Sequence, residues 1–290
     1  MINYKLSFIE SPSEIEINLN SSKSESNRLL IIKSLSDNKI ELKNLSHAND
    51  TVLLKNLIGS NSQNIWDAED AGTTMRFLTS FLAVTKQGVL LTGTERMKKR
   101  PIKILVDALN KIGAEISYTE KDGYPPIKIN RKISQFKESI SIRGDISSQY
   151  ISSLLMIAPV LPNGLKIDVM PPFYSKPYVM MTLNLMKKFG IKYDLSEDSI
   201  SINNQEYKSG SYKVESDWSA ASYWYSFISI NKKLKEIKLK GLREHSFQGD
   251  QVIKKIMTLF NVETLYHKDG IILRKKDFDC DYLELDFKDC

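Results

Sequence analysis

The chain is poor in the residues that build cross-links and metal centres. Its 290 residues include two cysteines, Cys280 and Cys290, and three scattered histidines, His47, His245 and His267. Two cysteines near one end cannot form a disulfide framework, and the histidines show no metal-ligand spacing. We therefore expect chemistry that uses no metal ion and no cofactor.

Long apolar runs and a basic tail are also missing. No run approaches the ~18 residues of a membrane-spanning helix, and the start MINYKLSFIESPSEIEI lacks the pattern of a secretion signal. Lysine and arginine give a formal net charge of +6, but acidic residues lie between them. This distribution suits small anionic ligands at least as well as a nucleic acid. We expect a cytoplasmic protein without membrane or nucleic-acid partners.

Several segments share one design, a polar start followed by an apolar helix. They begin at Ser21, Glu69, Gly144, Tyr174 and Glu215. The parts FLTSFLAV and ISSLLMIAPVL have so few polar positions that we expect these helices to be buried inside layers of sheet. If the helix starts face the same side, their free amide groups and positive dipole ends would attract phosphates and carboxylates there.

The first of these segments, SSKSESNRLLII, shows the pattern in detail. Ser22 and Glu25 have the spacing of a capping box, which predicts a helix start near Ser22. Lys23 and Ser24 then lie in the first turn, and Arg28 lies one turn further on the same face. An ordinary capped surface helix would have the same pattern, so this segment alone does not identify a ligand site.

A second pattern indicates repeated αβ units. Apolar helical segments end at Gly113, Gly190 and Asn261, and short β-rich pieces follow each of them. The spacing of about 70 to 80 residues is longer than in most solenoid repeats. We expect a unit of strand, helix, strand, helix, strand, strand that is used several times.

Seven motifs occur in an order that identifies a known family. They are SKSESNR, DAGTTMR, LTGTERMKKRPI, DISSQY, SKPYVMMTLNLMKKFG, VESDWSAASYW and FQGD. With them, essentially the whole chain resembles the 5-enolpyruvylshikimate-3-phosphate (EPSP) synthases, also called 3-phosphoshikimate 1-carboxyvinyltransferases. The resemblance implies an α+β fold, the α/β prism of the enolpyruvyl transferases, with repeated βαβαββ units and helices packed inside sheets.

The resemblance also implies a function. These enzymes of the shikimate pathway of aromatic amino acid biosynthesis, the targets of glyphosate, transfer the enolpyruvyl group of phosphoenolpyruvate to the 5-hydroxyl of shikimate 3-phosphate and release phosphate. The expected partners are therefore these two small molecules, and we expect a monomer. For the domains, the resemblance implies that residues 1–21 form the first strand and crossover of a lower domain. Residues 22–214 would form a complete upper domain of three repeats, and residues 215–290 about one repeat of the lower domain.

Site residues follow from the resemblance, position by position. Those matching shikimate 3-phosphate contacts are Lys23, Ser24, Arg28, Ser147, Ser148, Gln149, Ser175 and Tyr178. Those matching phosphoenolpyruvate contacts are Lys23, Gly72, Arg100 and Gln149. We expect Lys23 and Arg100 to take part in catalysis. Taken singly, each residue also has an ordinary structural interpretation, such as a helix cap, a turn or a solvated arginine.

The chain departs from the family pattern at three places, which comprise five residues. Asn20 and Ser21 replace a usual Pro-Gly, Glu69 and Asp70 replace a frequent Gly-Asn, and Phe77 replaces a common proline. An acidic residue near an anion site should weaken phosphoenolpyruvate binding unless it pairs with Arg76 or Arg100. We therefore predict that Asp70→Asn lowers the Michaelis constant for phosphoenolpyruvate.

The family pattern continues beyond the closing residues LDFKDC. There the resemblance places an aspartate that acts on the 5-hydroxyl, together with a glutamate, lysines and arginines. We expect the 290-residue chain to be a truncated form with little turnover of its own. Two alternatives stay open from the sequence. One is UDP-N-acetylglucosamine enolpyruvyl transferase, although its reactive loop cysteine is missing before Arg100, and the other is a non-catalytic anion-binding module.

Overall fold

A computed structural model describes residues 14–60, 64–174 and 176–276 of the chain. Ser175, both cysteines, the closing LDFKDC and most of the expected first-strand segment 1–21 lie outside the described residues. In the described ranges, eight helices and fourteen strands alternate. The helices are α1 Lys23–Leu35, α2 Asn49–Gly59, α3 Gly72–Thr85, α4 Lys103–Ile112, α5 Ser148–Ile157, α6 Lys176–Lys188, α7 Trp218–Ile230 and α8 Ile253–Thr258.

The strands are short and belong to four sheets. They are β1 Glu14–Asn18, β2 Ile40–Lys43, β3 Ile65–Asp67, β4 Val89–Thr92, β5 Glu115–Tyr118, β6 Ile127–Arg131, β7 Ser139–Arg143, β8 Leu165–Met170, β9 Asp194–Leu195, β10 Ser199–Ile202, β11 Gly210–Lys213, β12 Glu236–Lys240, β13 Val262–His267 and β14 Gly270–Lys275.

The chain divides into two compact units. Among the described residues, the larger unit comprises 21–214 and 247–249. The smaller unit comprises 14–20, 215–246 and 250–276. Each unit has its own hydrophobic core.

The larger unit repeats one topology. One sheet has the strand order β3-β4-β6-β5 and another the order β7-β8-β10-β9. In both, the first two strands are parallel and the remaining pairs are antiparallel. A parallel pair needs a crossover, which α3 and α5 supply. A third sheet in this unit pairs β11 with β2 in parallel.

The smaller unit uses the same sheet topology. Its strand order is β1-β12-β14-β13, with β1 parallel to β12 and the other pairs antiparallel. Here the first strand comes from residues far from the others in the sequence. The predicted strand, helix, strand, helix, strand, strand unit is therefore confirmed, as is the α+β fold class.

The helices that looked apolar all round are the buried ones. Most residues of α3 and all but one of α5 are buried, whereas α4 buries only one face through positions such as Leu105, Leu109 and Ile112. The predicted glycine stops are also found. Gly113 and Gly190 follow their helices with φ of 118° and 85°, and Asn261 has φ of 55° after α8. These are left-handed conformations, which glycine and asparagine tolerate best.

Candidate active site

The start of α1 forms as the sequence predicts. Ser22 is the N-cap, and its side chain accepts a hydrogen bond from the Glu25 amide at 3.4 Å. Glu25 is itself fully buried and accepts a 3.3 Å hydrogen bond from the Tyr212 hydroxyl. This anchoring fixes the first turn of α1, which contains Lys23 and Ser24.

Arg28 links three helices at this end of the larger unit. Its Nε donates to Thr182 Oγ1 at 2.7 Å, and its Nη2 donates to Ser152 Oγ at 3.3 Å and to the Tyr178 carbonyl at 3.4 Å. Its Nη1 donates to the Ser24 carbonyl at 2.9 Å. Arg28 thus joins α1 to α5 and α6, and holds the main chain of the two predicted substrate positions Ser24 and Tyr178.

The charge of Arg28 has no counter-charge in contact with it. The residue is 3% exposed, and among the described residues no carboxylate lies within ion-pair distance of its guanidinium. Burial lowers the pKa of Arg28 to about 10, a shift that Tyr178 and Glu25 oppose only partly. A buried cation held by neutral acceptors is costly, and an anionic ligand would offset that cost.

Hydrogen bonds also join the starts of α1, α2 and α3. Lys23 Nζ lies 3.4 Å from Asp50 Oδ2, and Thr74 Oγ1 donates to the Asp50 carbonyl at 3.1 Å. Lys23 remains about half exposed, so its ammonium group is accessible to a ligand. Asp50 is consequently the residue that places Lys23 beside the start of α3.

Gly72 and Arg100 are in direct contact at the start of α3. A Cβ on Gly72 would lie 2.6 Å from Arg100 Cζ, so only glycine leaves room for the guanidinium. Arg100 Nη1 also lies 3.4 Å from the Asp70 carbonyl. Burial, followed by repulsion from Arg76 and Arg96, lowers the pKa of Arg100. Clustered cations of this kind favour a bound anion.

The start of α5 lies against the start of α3. Ser147 is the N-cap and accepts from the Gln149 amide at 3.4 Å, while Ser148 is buried. The side chain of Gln149 donates to Thr73 Oγ1 at 3.0 Å. This contact brings the predicted phosphate-binding serines next to the predicted phosphoenolpyruvate position Gly72.

Neither Arg76 nor Arg100 pairs with the Asp70 carboxylate, so the condition that would spare phosphoenolpyruvate binding is not met. The Asp70 carboxylate accepts a hydrogen bond from the Thr94 hydroxyl. Arg76 donates to the Gly72 carbonyl instead, and Arg100 approaches only the main chain of Asp70. The reason is local geometry, since the loop Gly93–Thr94 packs against the segment that contains Asp70.

The structure therefore brings nine of the ten predicted positions to adjoining helix starts and the Arg100 loop, and the tenth, Ser175, lies outside the described residues. Sequence reasoning missed the residues that connect them, namely Asp50, Thr73, Ser152 and Thr182. Ser152 lies in ISSLLMIAPVL, a helix predicted to be buried, where a polar side chain calls for a buried partner. No burial is predicted for the helix that contains Thr182. Asp50 and Thr73 carry no such signal.

The part of the chain that the structure describes contains neither a candidate metal site nor a candidate membrane-spanning helix. No group of three or more histidine, cysteine, aspartate or glutamate side chains is placed to hold a metal ion there. Nor does any helix in those ranges have the length and apolar character needed to cross a membrane.

Comparison with known proteins agrees with the geometry. A family model described as EPSP synthase (3-phosphoshikimate 1-carboxyvinyltransferase) matches residues 54–287. A protein of Bacteroides fragilis named 3-phosphoshikimate 1-carboxyvinyltransferase is 44% identical over 285 residues, which cover 97% of this chain and 68% of that protein. A protein of the same name from Buchnera aphidicola is 36% identical, covering 92% of this chain and 68% of its own length.

Solved structures show the same fold. EPSP synthase from Acinetobacter baumannii superposes with a TM-score of 0.62 over 91% of this chain and 82% of that one, although the sequences are 15% identical. At this identity the superposition supports the fold alone, and the sequence matches carry the family assignment. On the family model and on these relatives, the chain belongs to the EPSP synthase family.

Proposed function

We propose that the joined helix starts of the larger unit bind shikimate 3-phosphate and phosphoenolpyruvate for enolpyruvyl transfer. The single observation that carries this proposal is the buried charge of Arg28, which forms no ion pair with any carboxylate of the described residues. It lies within a network that also holds the starts of α1, α5 and α6. A fold that only needed a capped helix would not place an uncompensated guanidinium there.

The sugar-acid phosphate fits the side of the site near α1, α5 and α6. Arg28 and Ser24 serve its carboxylate side, because a guanidinium fork matches a carboxylate. Ser147, Ser148 and Ser175 serve the 3-phosphate, with the free amides at the start of α5 adding donors. Gln149 and Tyr178 complete this half of the site.

Phosphoenolpyruvate fits the side near α3 and Arg100. Gly72 leaves room for the Arg100 guanidinium, and Gln149 reaches this region through its contact with Thr73. Lys23 belongs to both halves, because Asp50 holds it between α1 and α3. Two cations and the dipole of α3 would then neutralise the phosphate and carboxylate groups of the ligand.

The proposed reaction has two steps. The 5-hydroxyl of shikimate 3-phosphate loses its proton and bonds through oxygen to C2 of phosphoenolpyruvate, while C3 gains a proton. C3 then loses a proton as the bond from C2 to the phosphate oxygen breaks, which restores the double bond and releases inorganic phosphate. Lys23 and Arg100 stabilise the charge that develops on the departing phosphate.

Calorimetric titration tests this proposal. We expect shikimate 3-phosphate to bind the purified chain, and UDP-N-acetylglucosamine not to bind. Shikimate without its phosphate should bind at least about 10-fold more weakly, because the serines and amides at the start of α5 lose their ligand. In the double variant Ser147→Ala/Ser148→Ala that difference should shrink. Equal affinity for shikimate and its phosphate in the unsubstituted chain would refute the proposal.

The cellular location and the oligomeric state of the protein are also proposals. We propose that the protein acts in the cytoplasm as a monomer, as the family resemblance implies. Sedimentation equilibrium over a range of concentrations checks the second point, and a mass twice that of the chain would contradict it.

A further inference from the structure

Tyr150 makes two contacts close to Arg100. Its hydroxyl donates a 2.6 Å hydrogen bond to the carbonyl of Pro101, the residue that follows Arg100. Its ring lies under the guanidinium of Arg76, 5.5 Å from Cζ to the ring centroid. Tyr150 is only 6% exposed, although Pro101 itself is exposed, so the hydrogen bond is partly buried.

The contact with Arg76 also connects Tyr150 to Arg100, through Gly72. Arg76 Nη1 donates to the Gly72 carbonyl at 2.8 Å, and Gly72 is the residue on which the Arg100 guanidinium rests. Arg76 is 7% exposed, and its Nε has no acceptor among the described residues. With so few hydrogen bonds of its own, Arg76 depends on the Tyr150 ring for its position.

The main chain on both sides of Pro101 is held by hydrogen bonds. The Arg100 amide donates to the Met97 carbonyl at 2.9 Å, and the Ile102 amide donates to the Gly123 carbonyl at 2.9 Å. Pro101 itself has no amide hydrogen to donate. The Tyr150 hydroxyl adds a side-chain contact to this segment by binding the Pro101 carbonyl, on the other side of the peptide that carries the Ile102 amide.

We propose that Tyr150 is a positioning residue that holds Arg100 from two sides, through Pro101 and through Arg76 with Gly72. This inference rests on the proposed role of Arg100 in binding phosphoenolpyruvate. A phenylalanine at this position would keep the ring against Arg76 but leave the Pro101 carbonyl without its donor. The hydroxyl is therefore predicted to matter for phosphoenolpyruvate more than for shikimate 3-phosphate.

Tyr150→Phe and Tyr207→Phe form a matched pair of variants. The Tyr207 hydroxyl also donates to a main-chain carbonyl of the same unit, that of Met156, at 2.8 Å, and Tyr207 is equally buried. Both variants lose one buried hydroxyl and one hydrogen bond, so their losses of stability should be similar. Only Tyr150 lies next to Arg100.

Two readouts separate positioning from general destabilisation. The first is the rate at which phenylglyoxal modifies Arg100 in the unliganded chain, followed by peptide mass spectrometry. We expect Tyr150→Phe to raise this rate severalfold and Tyr207→Phe to leave it unchanged. The second is affinity by calorimetry, where Tyr150→Phe should weaken phosphoenolpyruvate binding about 5- to 10-fold, as expected for one hydrogen bond. Affinity for shikimate 3-phosphate should stay within about twofold.

The outcomes distinguish this inference from the proposed function. If the unsubstituted chain binds no phosphoenolpyruvate, the proposed function fails, while the modification rate of Arg100 still decides whether Tyr150 positions it. If Tyr150→Phe and Tyr207→Phe change that rate equally, or neither changes it, Tyr150 has no special effect on Arg100 and the inference is wrong. Tyr150→Leu, which also removes the ring under Arg76, should raise the rate further than Tyr150→Phe.

Discussion

The guanidinium of Arg100 occupies the space that a side chain at Gly72 would fill, with Arg100 Cζ only 2.6 Å from the position of a Cβ. A side chain at position 72 would therefore require the Arg100 guanidinium, the end of a flexible side chain, to move. The position of Arg100 in the phosphoenolpyruvate half of the proposed site thus depends on the absence of a single methyl group.

Replacing Gly72 by alanine should displace Arg100. Because the guanidinium must move away from the start of α3, we expect the affinity for phosphoenolpyruvate to fall at least about 10-fold, the value of one charge-assisted hydrogen bond. Affinity for shikimate 3-phosphate should change far less. Calorimetry with each ligand measures both effects.

Gly59→Ala is the control for that substitution. Gly59 is the last residue of α2 in the same unit, and a Cβ there would meet nothing within 4 Å. Alanine favours helix, so this variant should bind both ligands normally and be slightly more stable. A loss of phosphoenolpyruvate binding in Gly59→Ala as large as in Gly72→Ala would show that the effect is not local.

Arg28→Lys should weaken shikimate 3-phosphate binding by about 100-fold or more. A lysine keeps the charge but cannot hold Thr182, Ser152, Ser24 and a carboxylate at once, since the planar fork is lost. Arg131→Lys changes an exposed arginine of strand β6 that pairs with Glu115, and should leave affinity unchanged. Similar affinities for the two variants in titration calorimetry would argue against the assigned role of Arg28.

Proton uptake should accompany ligand binding at high pH. Burial lowers the pKa of Arg28 to about 10, so Arg28 gives up its proton more readily than an exposed arginine. A bound carboxylate favours the charged form and raises this pKa again, so binding at alkaline pH should take up protons, and near neutral pH none at this residue. Calorimetry in buffers of different ionisation enthalpy measures the uptake.

Binding that takes up no more protons at alkaline pH than near neutral pH would contradict this account of Arg28.

Asp70→Asn should strengthen phosphoenolpyruvate binding about two- to fivefold, and so lower the Michaelis constant. The substitution removes a negative charge that no arginine neutralises, and asparagine can still accept the hydrogen bond from Thr94. Asp122→Asn, at an exposed carboxylate that pairs with Lys103, is the comparison and should have no effect. An unchanged or weaker affinity in Asp70→Asn would count against the expectation.

Much of the fold follows from local patterns. Ser22 and the helix-ending Gly113 mark element boundaries through contacts within a few residues, so sequence spacing is enough to predict them. The segments that form α3 and α5 are apolar on all sides, which predicted their burial, because such a helix is stable only in the interior of a protein. Repetition of these patterns along the chain then predicted the repeated sheet.

The connections between site residues could not be predicted in the same way. Lys23 pairs with Asp50 and Gln149 with Thr73 across long sequence separations, and no local pattern specifies such pairs. The partner of Asp70 is a further example. The sequence showed an acid near two arginines, but the approach of Thr94 depends on tertiary packing. Tyr150 likewise appears in the sequence only as one more aromatic residue of an apolar helix.

A crystal structure of the chain with shikimate 3-phosphate tests the central claim most directly. The account predicts the ligand's carboxylate beside Arg28 and Ser24 and its phosphate at the start of α5, within hydrogen-bond distance of Ser147 or Ser148. A ligand bound elsewhere on the chain, with the Arg28 guanidinium still bound to Thr182, Ser152 and main-chain carbonyls, would contradict it.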